Sequence, residues 1–145
     1  MCGIFGITEN NPYLVNKMIS QCSHRGPDGS SIWTNNDLTL GHNLLAITSK
    51  PKDGAQPYKT PKGNLLTYNG EIFNYDHLIK RFKDKFVPKT SCDTELLGWL
   101  LDNYSYKEVI CDFIDSMHAF IFYNKTTKEI KSFLLSINKF FIFSI

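Results

Sequence analysis

An α+β domain follows from three features of the chain: apolar residues repeat at helical spacing in isolated stretches, strand-like segments fill the intervals between them, and no internal repeat is visible. Helices and sheets that are each apolar on one side must stack in layers to bury those faces. The 145 residues are 42% hydrophobic and 21% charged, which is ordinary for one domain with a sizeable core.

The elements can be placed in order. After a short apolar opening, Asn11-Pro12 supplies a helix N-cap and a proline at the first helical position, and Leu14, Val15, Met18, Ile19 and Cys22 then repeat at helical spacing. Gly26-Pro27 ends that helix in a loop. Between Ile32 and Ile47 the runs DLTL and LLAIT, separated by Asn-Asn and Gly-His, predict short strands, and a proline- and glycine-rich connection covers 50–61. NLLTY predicts a buried strand running into Asn69-Gly70-Glu71, although Asn-Gly taken alone reads as an ordinary tight turn. Leu78, Ile79 and Phe82 mark a second amphipathic helix begun near Asn74 or Asp76. A third covers about Asp93 to Tyr104, with SCDTE offering hydroxyl and acidic groups to the unpaired amides of its first turn, and Leu96, Leu97, Leu100, Leu101 and Tyr104 as its inward stripe. MHAFIFYN and EIKSFLLSI predict a strand pair joined by Lys-Thr-Thr-Lys. The final NKFFIFSI is apolar, β-prone and nearly uncharged, so it needs a partner strand or will associate.

A net charge of +2, with lysines scattered except along the solvated stretch 80–85, predicts no nucleic-acid and no membrane-surface partner. Cys2, Cys22, Cys92 and Cys111 lie far apart without a CxxC pair, so no metal site and no dense disulfide framework is predicted, and a redox or metal-binding role is a remote reading. The opening MCGIFGITEN lacks the pattern of a signal peptide, and no stretch approaches membrane-spanning length. The expected location is cytoplasmic.

The chemistry centres on Cys2. Removal of Met1 would leave a thiol and a free α-amino group on one residue, and an α-amino group titrating near pH ~8 can take the thiol proton directly or through water. Alone, a cysteine at position 2 is more simply a small buried residue near a chain end.

Its neighbours change that reading. CGIFGI at 2–7, HRGPDGS at 24–30, YNGEIFNY at 68–75 and SCDTELL at 91–97 occur in this order, and with them the sequence resembles the class II glutamine amidotransferases, specifically the glutaminase domain of glutamine-hydrolysing asparagine synthetase. HRGPD points to that branch, and the resemblance runs from Cys2 to about Tyr123. It implies an N-terminal-nucleophile hydrolase fold, αββα layers of antiparallel sheets between helices, with L-glutamine as substrate and no cofactor in this chain. It further implies Cys2 as the nucleophile, and the Asn69 carboxamide with the Gly70 backbone amide as donors to the oxyanion. Glu71 and Asp93 would hold the α-amino group of glutamine, Leu45, Ala46, Ile47 and Thr48 would form the pocket wall, and residues 25–28 would shape the loop over the site. Residue chemistry agrees: a strand entering Asn-Gly presents a carboxamide donor beside an unobstructed amide, and a short acid at a helix start suits ligand binding as well as helix stabilisation.

The chain departs from the family pattern in three ways. Leu44 stands where the family carries an arginine that pairs with the substrate α-carboxylate, which predicts weakened glutamine capture, with His42 or Lys50 as candidate substitutes. Ser116-Met117-His118-Ala119 replaces Gly-Met-Phe-Ala, and the Arg-Asp pair and glycine that should follow are absent. The amidotransferase domain is therefore read as 1–124, with a divergent apolar segment at 125–145 that leaves sheet edges open. No glycine-serine-rich phosphate loop of an ATP-pyrophosphatase domain is found in these residues, so ammonia would pass to another polypeptide, a separate synthetase, or be lost to solvent. The rival reading, carried by Leu44 and the altered tail, is a catalytically inactive remnant or binding module.

Overall fold

Strand alternation and three short amphipathic helices assemble two antiparallel sheets in a mixed α/β architecture. The structure, a computed structural model, describes residues 2–47, 51–136 and 139–144. One sheet contains β1 (Gly3–Ile7), β2 (Gly29–Thr34) and β3 (Thr39–Leu44) in the order β1-β3-β2. The other contains β4 (Tyr58–Lys59), β5 (Leu65–Ile72), β6 (Ser116–Tyr123), β7 (Ile130–Ser136) and β8 (Lys139–Ser144) in sequence order. Every strand pair is antiparallel. The helices are α1 (Pro12–Gln21), α2 (Tyr75–Arg81) and α3 (Asp93–Asn103). A 3₁₀ turn at Ser23–Arg25 and a short π-helical segment at Glu108–Phe113 complete the described elements.

Apolar side chains separate into three clusters. Val15 and Ile19 of α1 pack on Phe5 of the smaller sheet. Leu38, Leu40, Leu65 and Tyr123 meet between the two sheets. The largest cluster lies where the larger sheet receives α2, α3 and the π-helical segment, with Leu66 and Phe120 against Leu78, Leu96, Leu100 and Val109. Each such leucine contributes roughly 1.5–3 kcal/mol by leaving water. The predicted stripe of α3 is buried at Leu96, Leu97, Leu100 and Leu101, with Tyr104 packed half-buried beside it. Among the described residues no helix is long and apolar enough to cross a membrane.

The expected helix starts hold. Asn11 caps α1 by accepting from the Leu14 amide at 3.0 Å, with Pro12 at the first helical position. Asn74 is the residue before α2, but its side chain looks outward from the helix: Nδ2 donates to the Phe113 carbonyl at 2.7 Å and Oδ1 accepts from the Asp115 amide at 3.0 Å. These two bonds tie the start of α2 to the entry of β6.

Several local expectations are corrected. Gly41-His42 does not divide two strands; it lies inside the single strand β3, and LLAIT leaves the strand after Leu44. Glycine is needed there because a Cβ on Gly41 would sit 2.5 Å from Val15 Cγ1, so its small size admits α1 rather than breaking the strand. Asn69-Gly70 is likewise no turn, since β5 continues through it to Ile72. A Cβ on Gly70 would sit 2.4 Å from the Met117 carbonyl oxygen of β6, so close strand approach selects the glycine. The tail is not left without a partner: the backbone of β8 pairs with β7 from Lys131↔Ser144 to Ser136↔Lys139. Strands β1 and β4 and the π-helical segment had no clear local signal, being short and, for β4, set in a connection rich in proline and glycine.

Candidate active site

The register of the smaller sheet fixes Cys2. Because Gly3 faces Asn43 across β1 and β3, Cys2 precedes β1 beside the end of β3, where the chain turns away at Leu45. The Leu45 amide donates to Cys2 Sγ at 3.3 Å, and the thiol lies 3.7 Å from the Leu45 carbonyl oxygen. The segment after β3 is in turn held by the loop that carries HRGPDG. Asp28 Oδ2 accepts from the Ala46 amide at 2.8 Å, and the Asp28 amide donates to the Leu44 carbonyl at 3.0 Å. Asn43 secures the other face of β3 by donating to the carbonyls of Ile19 and Cys22 at 3.0 and 2.9 Å.

Cys2 opens into a cavity of about 500 Å³ between the two sheets' ends and the start of α3. Asn69, Gly70 and Glu71 reach it from β5, and Asp93 reaches it from the first turn of α3. Leu45, Ala46 and Ile47 line the same space, while Thr48 lies outside the described residues. Thus four separate stretches of sequence meet at one hollow. Leu44 also lines it, 8% exposed. His42 is not among the lining residues: it is buried at 1% exposure and held neutral, its pKa lowered to about 4 by burial, so it is no substitute cation. Lys50 lies outside the described residues.

The site also contains residues that the sequence reading passed over. Tyr68 donates its hydroxyl to Asp93 Oδ2 at 3.2 Å, and the Ile72 amide donates to the same oxygen at 3.2 Å. Burial first, and the Asp93 charge second, hold the Tyr68 phenol far above its ordinary range, so it remains a donor. Strand alternation carried the signal, because Tyr68 shares the helix-facing side of β5 with Leu66. Gln56 continues the ladder beyond the two-residue strand β4, its Oε1 accepting from the Tyr68 amide at 2.5 Å. Its carbonyl also accepts from the Ser31 hydroxyl, which ties the two sheets together. His118, at the cavity from β6, shares a 2.6 Å hydrogen bond between Nδ1 and Ser116 Oγ and stacks on Phe120. A lone glutamine in a loop gives no pattern from which its position could be read, and His118 stood out only as part of the departing stretch Ser116-Met117-His118-Ala119.

The SCDTE opening puts Asp93 and Glu95 in the first turn of α3, as expected, and has a second use. Cys92 makes no side-chain cap bond. Glu95 instead folds back onto the preceding loop, accepting from the Thr90 amide and hydroxyl at 2.9 Å each. This fixes the approach to α3 and hence the position of Asp93.

Burial raises the Asp93 carboxyl above its ordinary value, against the opposing pull of the Ile72 amide and the Tyr68 hydroxyl. A carboxyl that holds its proton more tightly folded than unfolded costs stability at neutral pH, and that cost disappears as pH falls through the raised value. Asp93→Asn keeps an oxygen for both donors while removing the charge. It is therefore expected to melt above the parent protein at pH 7, with the gap closing on acidification, in thermal scans across pH.

Among the described residues no group of three or more His, Cys, Asp or Glu is placed to hold a metal ion, and no disulfide joins the cysteines. The family model described as glutamine amidotransferase domain matches residues 1–134. Among curated relatives, asparagine synthetase [glutamine-hydrolyzing] 1 of Arabidopsis thaliana is 33% identical over 129 residues, covering 83% of this chain and 21% of that protein. Asparagine synthetase [glutamine-hydrolyzing] 2 of Oryza sativa subsp. japonica is 35% identical over 137 residues, covering 89% and 22%. Asparagine synthetase B [glutamine-hydrolyzing] of Escherichia coli (strain K12) is 33% identical over 134 residues, covering 86% and 23%. The chain spans about a fifth of the length of the curated relatives it matches.

Proposed function

This chain belongs to the glutamine amidotransferase domain family, and on that premise we propose that it hydrolyses the side-chain amide of L-glutamine to glutamate and ammonia through Cys2. The observation that carries the reading is the convergence of Cys2, Asn69, Gly70, Glu71 and Asp93 on one cavity from distant parts of the chain. In the proposed reaction the α-amino group of Cys2, freed by loss of Met1, accepts the thiol proton as sulfur attacks the amide carbon. The carbonyl oxygen becomes negative and takes hydrogen bonds from the Asn69 carboxamide and the Gly70 amide. Ammonia departs with the returned proton, leaving a thioester on Cys2, and water cleaves it to glutamate. Glu71 and Asp93 accept from the substrate ammonium. The chemistry draws only on protein groups and water.

The αββα layering belongs to the same proposal. It is supported by α1 packed on the smaller sheet, apolar contact between the sheets, and α2 and α3 packed on the larger one. A synthetase unit is the proposed acceptor of ammonia, because the relatives that bear the synthetase name are about five times as long as the stretch matched.

The test is labelling with a glutamine-analogue electrophile followed by intact-mass measurement. One adduct on Cys2 of the protein lacking Met1, blocked by excess glutamine, is the expected result. A freed Cys2 that takes no adduct sinks the proposal. For the oxyanion donors, Asn69→Ala is expected to lower kcat by roughly 10²–10³-fold with a smaller change in KM, because the bond strengthens as charge develops. Steady-state glutamate release reads both constants.

A further inference from the structure

The described lining of the cavity contains two carboxylates, Glu71 and Asp93, and no lysine or arginine. Its imidazole, His118, is kept neutral by burial, with a pKa of about 4. A free amino acid brings an ammonium and a carboxylate together. This wall complements the first and opposes the second, because an unpaired anion taken out of water beside other anions is penalised. Leu44 and Leu45 add hydrocarbon to this wall and no charge.

A second observation concerns the rim. Ile47, Met117 and Leu134 are large apolar side chains left 77%, 41% and 45% exposed, and all three line this cavity. They come from three different segments, the stretch after β3, β6 and β7, so their clustering is a product of the fold. The space of about 500 Å³ exceeds what one free amino acid fills and falls in the range of roughly 300–1,000 Å³ typical of pockets for larger ligands.

We propose that the preferred substrate is glutamine whose α-carboxyl is masked as an amide, namely the N-terminal glutaminyl residue of a peptide with an apolar second residue. This rests on the glutaminase reading above. The free α-ammonium lies against Glu71 and Asp93, the peptide carbonyl faces the Leu44 wall without a net charge, and the second side chain covers Met117, Ile47 and Leu134. Sulfur of Cys2 bonds to the side-chain amide carbon, the carbon–nitrogen bond breaks, and ammonia leaves with the thiol proton. Water then adds to the thioester, restoring the thiol and leaving an N-terminal glutamyl peptide.

The experiment compares Cys2-dependent ammonia release from L-glutamine, glutamine α-amide and the dipeptide Gln-Leu, using the full chain with loss of Met1 verified by mass. The expected result is a kcat/KM at least about tenfold higher for both masked substrates than for glutamine, with Gln-Leu the best. Leu44→Arg is expected to reverse that preference. Leu134→Ser, at a half-exposed position, is expected to lower kcat/KM for Gln-Leu by a larger factor than for glutamine α-amide. Cys2-dependent turnover in which free glutamine equals or exceeds the masked substrates overturns this inference and leaves the glutaminase reading standing. Absence of Cys2-dependent ammonia from all three overturns both.

Discussion

Replacing Cys2 by alanine is expected to lower glutamate formation by about 10⁴-fold or more, since removing the nucleophile from a unit that acts together abolishes the covalent route. The protein should remain folded. Cys2 is half-buried before the first strand, and among the described residues its sulfur hydrogen-bonds to the Leu45 main chain alone, at 3.3 and 3.7 Å, so the lost packing is small. Thermal melting within about 1 kcal/mol of the parent, together with lost turnover, is the combined outcome to look for. A companion variant that retains Met1 keeps the thiol in place but converts the proposed base into a peptide nitrogen. It should lose turnover as fully as the alanine variant, which separates the amino group's role from that of sulfur. Full activity with Met1 retained would show that another group takes the proton.

Acid lability is the second large effect. His42 and His118 are 1% and 2% exposed, and burial lowers the pKa of each to about 4. Nε2 of each ring has no hydrogen-bond partner among the described residues. Unfolded, each imidazole titrates near ~6.5. The unfolded chain therefore binds protons that the fold refuses between about pH 6.5 and 4, so stability is fully present above that window and is lost as pH falls through it. At about 1.4 kcal/mol per pH unit, each histidine removes up to roughly 3 kcal/mol, a large share of the 5–15 kcal/mol that holds a typical domain together. Asp93 acts in the opposite sense, because its raised carboxyl favours the fold as it takes up a proton. The two histidines set the expected direction of the net change, which the carboxyl opposes. Denaturant titrations from pH 7.5 to 4.5 should show the midpoint falling, and His42→Gln or His118→Gln should each remove half of that slope or more. A flat profile would mean that both rings accept protons within the fold.

Much of this behaviour was legible from residues alone. The spacing of Leu96, Leu97, Leu100 and Leu101 gave α3, and Asn11-Pro12 gave the start of α1, because capping and amphipathic periodicity are local properties. Gly41 and Asn69-Gly70 misled for a related reason. Glycine signals either a turn or a close approach, and only the positions of Val15 and Met117 across space decide between them. The tail changed meaning in the same way, since an apolar run without a local partner became β8 once β7 stood beside it.

Residue types alone supplied the chemistry on offer: the Cys2 thiol, the Asn69 carboxamide next to a glycine, two acids, and a leucine at position 44. Tertiary structure decided that these groups share one cavity, that Tyr68 and the Ile72 amide orient Asp93, and that His42 is sealed away from it as a neutral ring. Residue type fixes what a group can donate, accept or attack with. Which groups meet, and how much water each keeps, depends on strand register and burial, and these are set by contacts between segments tens of residues apart, such as Cys2 with Leu45 and Tyr68 with Asp93.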